Sequence, residues 1–231
     1  MAGTFWPAAM ATAAVLISAP SARADEALTT ELARAAPDAD PAILALATTA
    51  LQCATAASPS APPQRLAVVD YSRASTRVRL WVFDLATHRL LHAERVAHGR
   101  GSGEDFATKF SNDSGSHRSS LGLFRTAETY VGENGYSLRM DGLEAGINDR
   151  ARDRAIVMHG ADYVSDASVR ALGRLGRSWG CPAVRREAAR GIIDDLKDGQ
   201  YLFVYYPDAA WLKGSRFLSC AATEGQGRVA P

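Results

Sequence analysis

The stretch RSWGCPAV, Arg177 to Val184, sets one of only three cysteines behind a Trp-Gly pair and ahead of a proline. A thiol with an ordinary pKa of about 8.5 is mostly protonated at neutral pH, so Cys181 needs a base before it can attack a carbonyl. Five histidines are available: His88, His92, His98, His117 and His159. His159 stands out because it closes the apolar run AIVMHG, where a strand end projects a side chain into a cleft and Gly160 leaves room beside it. Gly180 permits a tight turn, and Pro182 restrains the backbone that follows. The amides of Gly180 and Cys181 are therefore expected to form an oxyanion hole. The plainer readings are a small buried hydrophobe for Cys181 and a hydrogen-bonded strand terminus for His159. A depressed thiol pKa is the property that favours the reactive reading of the cysteine.

The elements that must hold these residues can be read from periodicity. RLAVVDY is a strand, and in RVRLWVFDL the residues Val78, Leu80 and Val82 alternate with Arg77, Arg79 and Trp81 at period two. LLHAERVAH follows after a short turn, giving a three-stranded meander. Residues Gly99 to Ser120 are rich in Gly, Ser and Asn, which predicts a long functional loop. Further strands are expected in LGLFRTAETY, YSLRM and RAIVMHG, and QYLFVYYP, apolar on both faces, suits a central strand. RREAARGIIDDLKDG carries one apolar stripe through Ala188, Ala189, Ile192, Ile193 and Leu196, so a helix packs on the sheet and stops at Gly199. Two short helices are expected between Asp25 and Ala57, the second with Asp40 as N-cap and Pro41 at its first position. SPSAPPQ, Ser58 to Gln64, then reads as a linker.

VMHGADYVS followed by GRLGRSWGCPAV resembles the catalytic core of the L,D-transpeptidase (YkuD-type) family, in which a His-Gly pair precedes a Ser/Thr-x-Gly-Cys signature. The ordered runs VVDYSRASTRVRLWVFDL, VAHGRGSG, FSN, SSLG, GYSLRMDGLEAGIND, RAIVMHGADYVS and SWGCPAV extend the resemblance over roughly residues 66–207, to the murein L,D-transpeptidase catalytic domain branch. The fold this implies is mainly β, a YkuD-like mixed sandwich or barrel with a helix packed after the cysteine and short N-terminal helices. By this resemblance Cys181 is the nucleophile and His159 the general base and later acid. Ser178 and Gly180 belong to the signature turn, and a carbonyl near Gly160 orients the imidazole. Trp179, Tyr163, Arg174 and Arg177 are implied substrate contacts, with the two arginines as binders of stem carboxylates. Trp179 stands where commoner members have His, and Ala183 where they have Arg; the interval from His159 to Cys181, twenty-two residues, is also longer than usual. The implied reaction joins peptidoglycan stem peptides through L-to-D bonds, giving 3-3 or 1-3 cross-links, with the lost His and Arg tilting towards 1-3. Carbapenem acylation follows from the same resemblance. A cysteine hydrolase of the same bonds and a non-catalytic peptidoglycan-binding module remain the rival readings.

Bulk properties narrow the classes. Of 231 residues, 47% are hydrophobic and 22% charged, enough for one buried domain. AAMATAAVLISAP ends in SARA before Asp25, which reads as a signal peptide over residues 1–24, with an uncleaved anchor as the alternative. Its removal leaves 25 basic residues against 25 acidic ones, so no net positive charge invites nucleic acid, and no stable membrane insertion is expected. Residues 25–64 form the helical segment and linker, and 65–231 the catalytic domain, placed in the periplasm. Three cysteines in an exported chain leave one unpaired; a Cys53 to Cys220 bridge, or three free thiols, would each spare Cys181. The glycines after His98 lack the Gly-Lys-Ser/Thr ending of a phosphate loop. No zinc spacing is present, and neither metal nor cofactor is expected.

Overall fold

The computed structural model describes residues 20–57 and 62–220. The expected signal peptide therefore lies outside the described residues up to position 19, and the expected linker does so over 58–61.

Helices α1 (Pro20–Ala35) and α2 (Pro41–Ala57) come first. Asp40 Oδ1 accepts from the Ala42 amide at 2.8 Å, which caps α2 just ahead of Pro41. Nine strands follow among the described residues: β1 (Arg65–Asp70), β2 (Leu80–Asp84), β3 (Arg89–Glu94), β4 (Val96–Ala97), β5 (Gly122–Gly132), β6 (Gly135–Gly142), β7 (Val157–Gly160), β8 (Ala183–Val184) and β9 (Tyr201–Tyr205). Interspersed are α3 (Asp166–Leu172), α4 (Arg186–Leu196), α5 (Ala209–Gly214) and α6 (Arg216–Ser219).

The strands form one mixed sheet in the order β3-β2-β1-β9-β5-β6-β7-β8-β4. β1 runs parallel to β9, β7 runs parallel to β8, and the remaining pairs are antiparallel. β3 and β4 occupy the two edges of this order, yet only Arg95 separates them in the chain. The run LLHAERVAH is thus not one strand: the chain crosses at Arg95 from one edge to the other and all but closes the sheet into a barrel. Bringing the two edges together at Arg95 shortens the open ladders that a flat sheet would leave at both rims.

β9 is central, between β1 and β5, as its two-sided apolar sequence demands. α2 packs on β1 and β9, and α4 packs on β1, β6 and β7. Leu32 of α1 and Leu44 and Ala47 of α2 join the strands in one core. Cys53 and Cys220 are disulfide-bonded across 167 positions with Cα atoms 5.9 Å apart, and Cys181 is free and buried.

Arg79 and Trp81, which alternate with Leu80 and Val82 at period two, are buried like them. The Arg79 guanidinium caps carbonyls inside the barrel, with Nε and Nη2 donating to Val96 O and Nη1 to Arg73 O. One local expectation needs correction: the chain beyond α4 turns earlier than Gly199, since Asp198 adopts a left-handed φ of 62°. Asp198 and Gly199 donate to Ala127 O and Thr126 O of β5, which holds both residues in that conformation.

Candidate active site

β7 and β8 lie side by side in parallel, with His159 opposite Ala183 and Gly160 opposite Val184. Cys181 precedes Ala183 by two residues, so this register sets it beside Val157, two residues before His159. The Val157 amide accordingly donates to Cys181 Sγ at 3.5 Å. Gly160 must be glycine here: a Cβ would come within 2.9 Å of Ala189 Cβ on α4 and 3.1 Å of Arg186 Cα. The segment between the two strands is itself ordered. Ser165 accepts from the Ser168 amide at 3.3 Å and caps α3, which ends on Gly173 at φ 68°. Val164 and Leu175 then pack on Ala97, Ala161 and Ala183 in a small separate core beneath the site.

The signature turn is pinned from three sides. Ser178 Oγ donates to Cys181 O at 2.7 Å and accepts from the Gly180 amide at 3.1 Å. Ser119 Oγ donates to Gly180 O at 3.1 Å and accepts from the Gly99 amide at 3.0 Å. The Ser178 amide donates to His98 O and the Arg100 amide to Ser178 O. The Gly99–Ser120 loop is thus the frame around the cysteine turn. Gly180 has φ +125°, and a Cβ there would meet Arg118 O and Ile156 Cδ1 at 2.8 Å, so no other residue fits. One expectation fails at this point: the Gly180 amide is spent on Ser178 Oγ and is not turned to the cleft, because the serine hydroxyl spans the turn.

His159 Nδ1 lies 3.1 Å from Gly160 O. A carbonyl only accepts, so Nδ1 carries the proton and Nε2 keeps its lone pair. Burial lowers the His159 pKa, with Arg186 adding to the effect. Cys181 is 9% exposed. Burial pushes its thiol up; the amides of Val157 and of Cys181 itself and the Arg154 guanidinium pull it down by less. The depressed thiol pKa expected of a reactive cysteine is therefore not found at rest. Sγ also donates to Ala155 O at 3.7 Å, a bond that only the protonated form makes. Both shifts favour a neutral thiol beside a neutral imidazole.

Cys181, His159, Ser178, Trp179, Tyr163 and Arg177 line one cleft of about 610 Å3. Burial raises the Tyr163 pKa, and the charge on Cys181 would raise it further. Trp179, 67% exposed, stacks on His117 with ring centroids 4.9 Å apart, while the Arg100 guanidinium sits 5.3 Å over its ring. Arg177 pairs with Glu104 at 2.7 Å. Arg174 pairs with the same carboxylate at 2.9 Å and donates to Leu175 O, and it is not among the cleft-lining residues. Sequence reasoning missed Arg154 and the hairpin residues Tyr130, Glu133 and Asn134, which also line the cleft. It missed Ser119 as well, although the run SSLG that contains it was part of the resemblance. His98, set aside as a base, is buried behind the turn with its pKa brought down to about 4, chiefly by burial and then by Arg79. Arg79 Nη2 donates to its Nδ1 at 2.8 Å.

Residues 35–205 match the family described as "L,D-transpeptidase catalytic domain" (YkuD_2). Solved structures that resemble the chain include an L,D-transpeptidase from Mycobacterium smegmatis, at 15% identity and TM-score 0.39, covering 62% of this chain and 59% of that one. Another is the Mycobacterium tuberculosis L,D-transpeptidase 3 carrying a faropenem-derived adduct, at 13% identity and TM-score 0.38, covering 62% and 61%. A third is an L,D-transpeptidase from Stackebrandtia nassauensis, at 13% identity and TM-score 0.38, covering 79% and 90%. The chain spans about three-fifths of the length of these mycobacterial proteins. No curated protein matches it.

Proposed function

The chain belongs to the L,D-transpeptidase catalytic domain family, and on that premise we propose that it cross-links peptidoglycan stem peptides through a thioester on Cys181. The observation that carries the reading is the shared cleft: Sγ of Cys181 and an imidazole held by Gly160 O, with its Nε2 lone pair unspent, open on one cavity. On arrival of the donor, Nε2 takes the thiol proton as Sγ attacks the carbonyl of the L-centred residue. The Cys181 amide, which already faces Sγ, is the donor near the oxygen that gains charge. Collapse breaks the C–N bond, the imidazolium gives its proton to the departing amine, and the thioester remains. An acceptor amine then attacks, His159 removes its proton, and the thiolate leaves and is reprotonated. No redox step and no cofactor enter.

Two L-to-D bonds are open to such an enzyme: diaminopimelate-3 to D-Ala-4 and L-Ala-1 to D-Glu-2. The proposal favours the second, giving 1-3 cross-links. Ala183, at the position of the family's usual arginine, is buried against β7, so no side chain there offers the cleft a cation. Trp179 replaces the usual histidine with a large stacking surface. Export to the periplasm is part of the proposal, supported by the leader sequence and by the Cys53–Cys220 disulfide, a bond typical of oxidising compartments.

Intact-protein mass spectrometry with disaccharide-tetrapeptide and disaccharide-tripeptide donors tests the reading. The expected adduct is the disaccharide with a single L-Ala, formed from both donors. An adduct of disaccharide-tripeptide, formed only from the tetrapeptide, would establish the 3-3 bond, and no adduct from either would remove the transpeptidase.

A further inference from the structure

Both candidate bonds share one chemical feature. The D-centred residue that leaves carries a free α-carboxylate one carbon from the departing nitrogen, as the terminal carboxylate in D-Ala-4 and as the α-carboxylate of D-Glu-2, whose chain continues through the γ-carboxyl. A site specific for either bond has reason to hold a cation within reach of the nucleophile.

The cleft offers two arginines, Arg154 and Arg177. Arg177 already pairs with Glu104, which it shares with Arg174, so its guanidinium is engaged by a carboxylate of the protein itself. Arg154 is bound differently. Its Nη1 donates to Ser111 O at 2.7 Å and Ser120 Oγ at 2.6 Å, and its Nη2 to Arg118 O at 2.6 Å and Ser116 Oγ at 3.3 Å. All four acceptors are neutral, and no carboxylate pairs with Arg154 among the described residues. The framing loop thus fixes the guanidinium plane and leaves its Nε–H without a partner among those contacts; Asp113 of the same loop acts on the charge through space, with no hydrogen bond or ion pair to it. The next residue, Ala155, holds a left-handed φ of 53° and offers the carbonyl that accepts the Cys181 thiol proton, so one strained turn carries both the cation and a contact of the nucleophile. The charge is not consumed by a resting thiolate either, since burial keeps the thiol protonated despite the pull of Arg154. Glu133, on the β5–β6 hairpin tip, is the one carboxylate among the cleft-lining residues.

We propose that Arg154 is the anion site of the cleft and recognises the α-carboxylate of the D-centred residue on the leaving side of the bond. The proposal rests on the transpeptidase reading. It makes Arg154 the residue by which this chain tells an L-to-D bond flanked by a carboxylate from an ordinary amide.

The test compares acylation rates for pairs of donors that differ only at that group, free acid against carboxamide, on D-Glu-2 and, separately, on D-Ala-4. Native protein prefers the acid by roughly 10- to 100-fold, the range expected for one charge-assisted hydrogen bond. The arm that shows the preference identifies which residue supplies the carboxylate. Arg154→Gln abolishes the preference, lowering the acid rate 10- to 100-fold more than the carboxamide rate, and the loss appears in the donor concentration needed for half-maximal rate. A merely structural role would lower both rates together. Arg154→Lys, which keeps a cation, retains the direction of the preference and gives a reading should the Gln variant not fold. Equal native rates for acid and amide on both donors, or a preference that survives Arg154→Gln, overturns the anion site alone. Failure of every donor to acylate native protein overturns the transpeptidase reading and the anion site with it.

Discussion

Cys181 and His159 rest as a neutral pair, and the cause is burial acting in opposite senses on an acid and a base. Desolvation raises the thiol and lowers the imidazole. Two pH profiles follow. Alkylation of the free enzyme by iodoacetamide should rise with a midpoint above the ordinary thiol value of about 8.5. Acylation by donor should fall on the acid side as His159 gains its proton, with a midpoint below the ordinary histidine value of about 6.5. An alkylation midpoint near neutrality would mean a resting ion pair and contradict the neutral site. The cysteine and histidine were legible in the chain because a Gly-Cys-Pro turn and a strand-ending His-Gly are local signals. Arg154 was not. It sits in DRARDRAI, where its charge looks like any solvated arginine, and its four acceptors lie 34 to 43 residues earlier in the chain. The burial of Arg79 was hidden for a similar reason: a period-two pattern does not reveal that both faces of β2 are covered.

Among the elements, the β7–β8 pairing and the helix behind it set the active-site geometry. α4 approaches β7 so closely at Gly160 that a methyl group there would collide with Ala189 and Arg186. Gly160→Ala should therefore cost about 1–3 kcal/mol in urea unfolding and lower the acylation rate, as α4 or the imidazole's carbonyl partner shifts. Unchanged stability would mean that the helix gives way freely. The long strands and α4 were readable because their apolar periods run for several residues. β8 spans two residues, too few for a period, and it owes its existence to the partner β7 and to the proline before it. The break between β3 and β4 was hidden because β3, Arg95 and β4 read as one apolar-polar run, and only closure of the sheet sends its parts to opposite edges.

At the scale of the molecule, the chain closes itself twice, once where Arg95 joins the sheet's two edges and once where the disulfide ties α2 to the end of α6. A bridge across 167 positions restricts the unfolded chain strongly. Replacing Cys53 and Cys220 by Ser should lower stability by about 2–5 kcal/mol, seen as a lower thermal midpoint, with Cys181 still acylated at 25 °C. An unchanged midpoint would deny the bridge its role. The family resemblance made the mainly β architecture readable and left sandwich and barrel both open, and the nearly closed sheet lies on the barrel side of that choice. The central claim is that this fold exists to join stem peptides through Cys181. It is tested most directly by incubating the protein, and Cys181→Ala beside it, with peptidoglycan sacculi and resolving the digested muropeptides by mass spectrometry. New dimers that form only with Cys181, and whose fragments place an L-Ala carbonyl on a diaminopimelate amine, are the predicted result. Shortened monomers without dimers, or a muropeptide profile identical to that of the Cys181→Ala control, would contradict it.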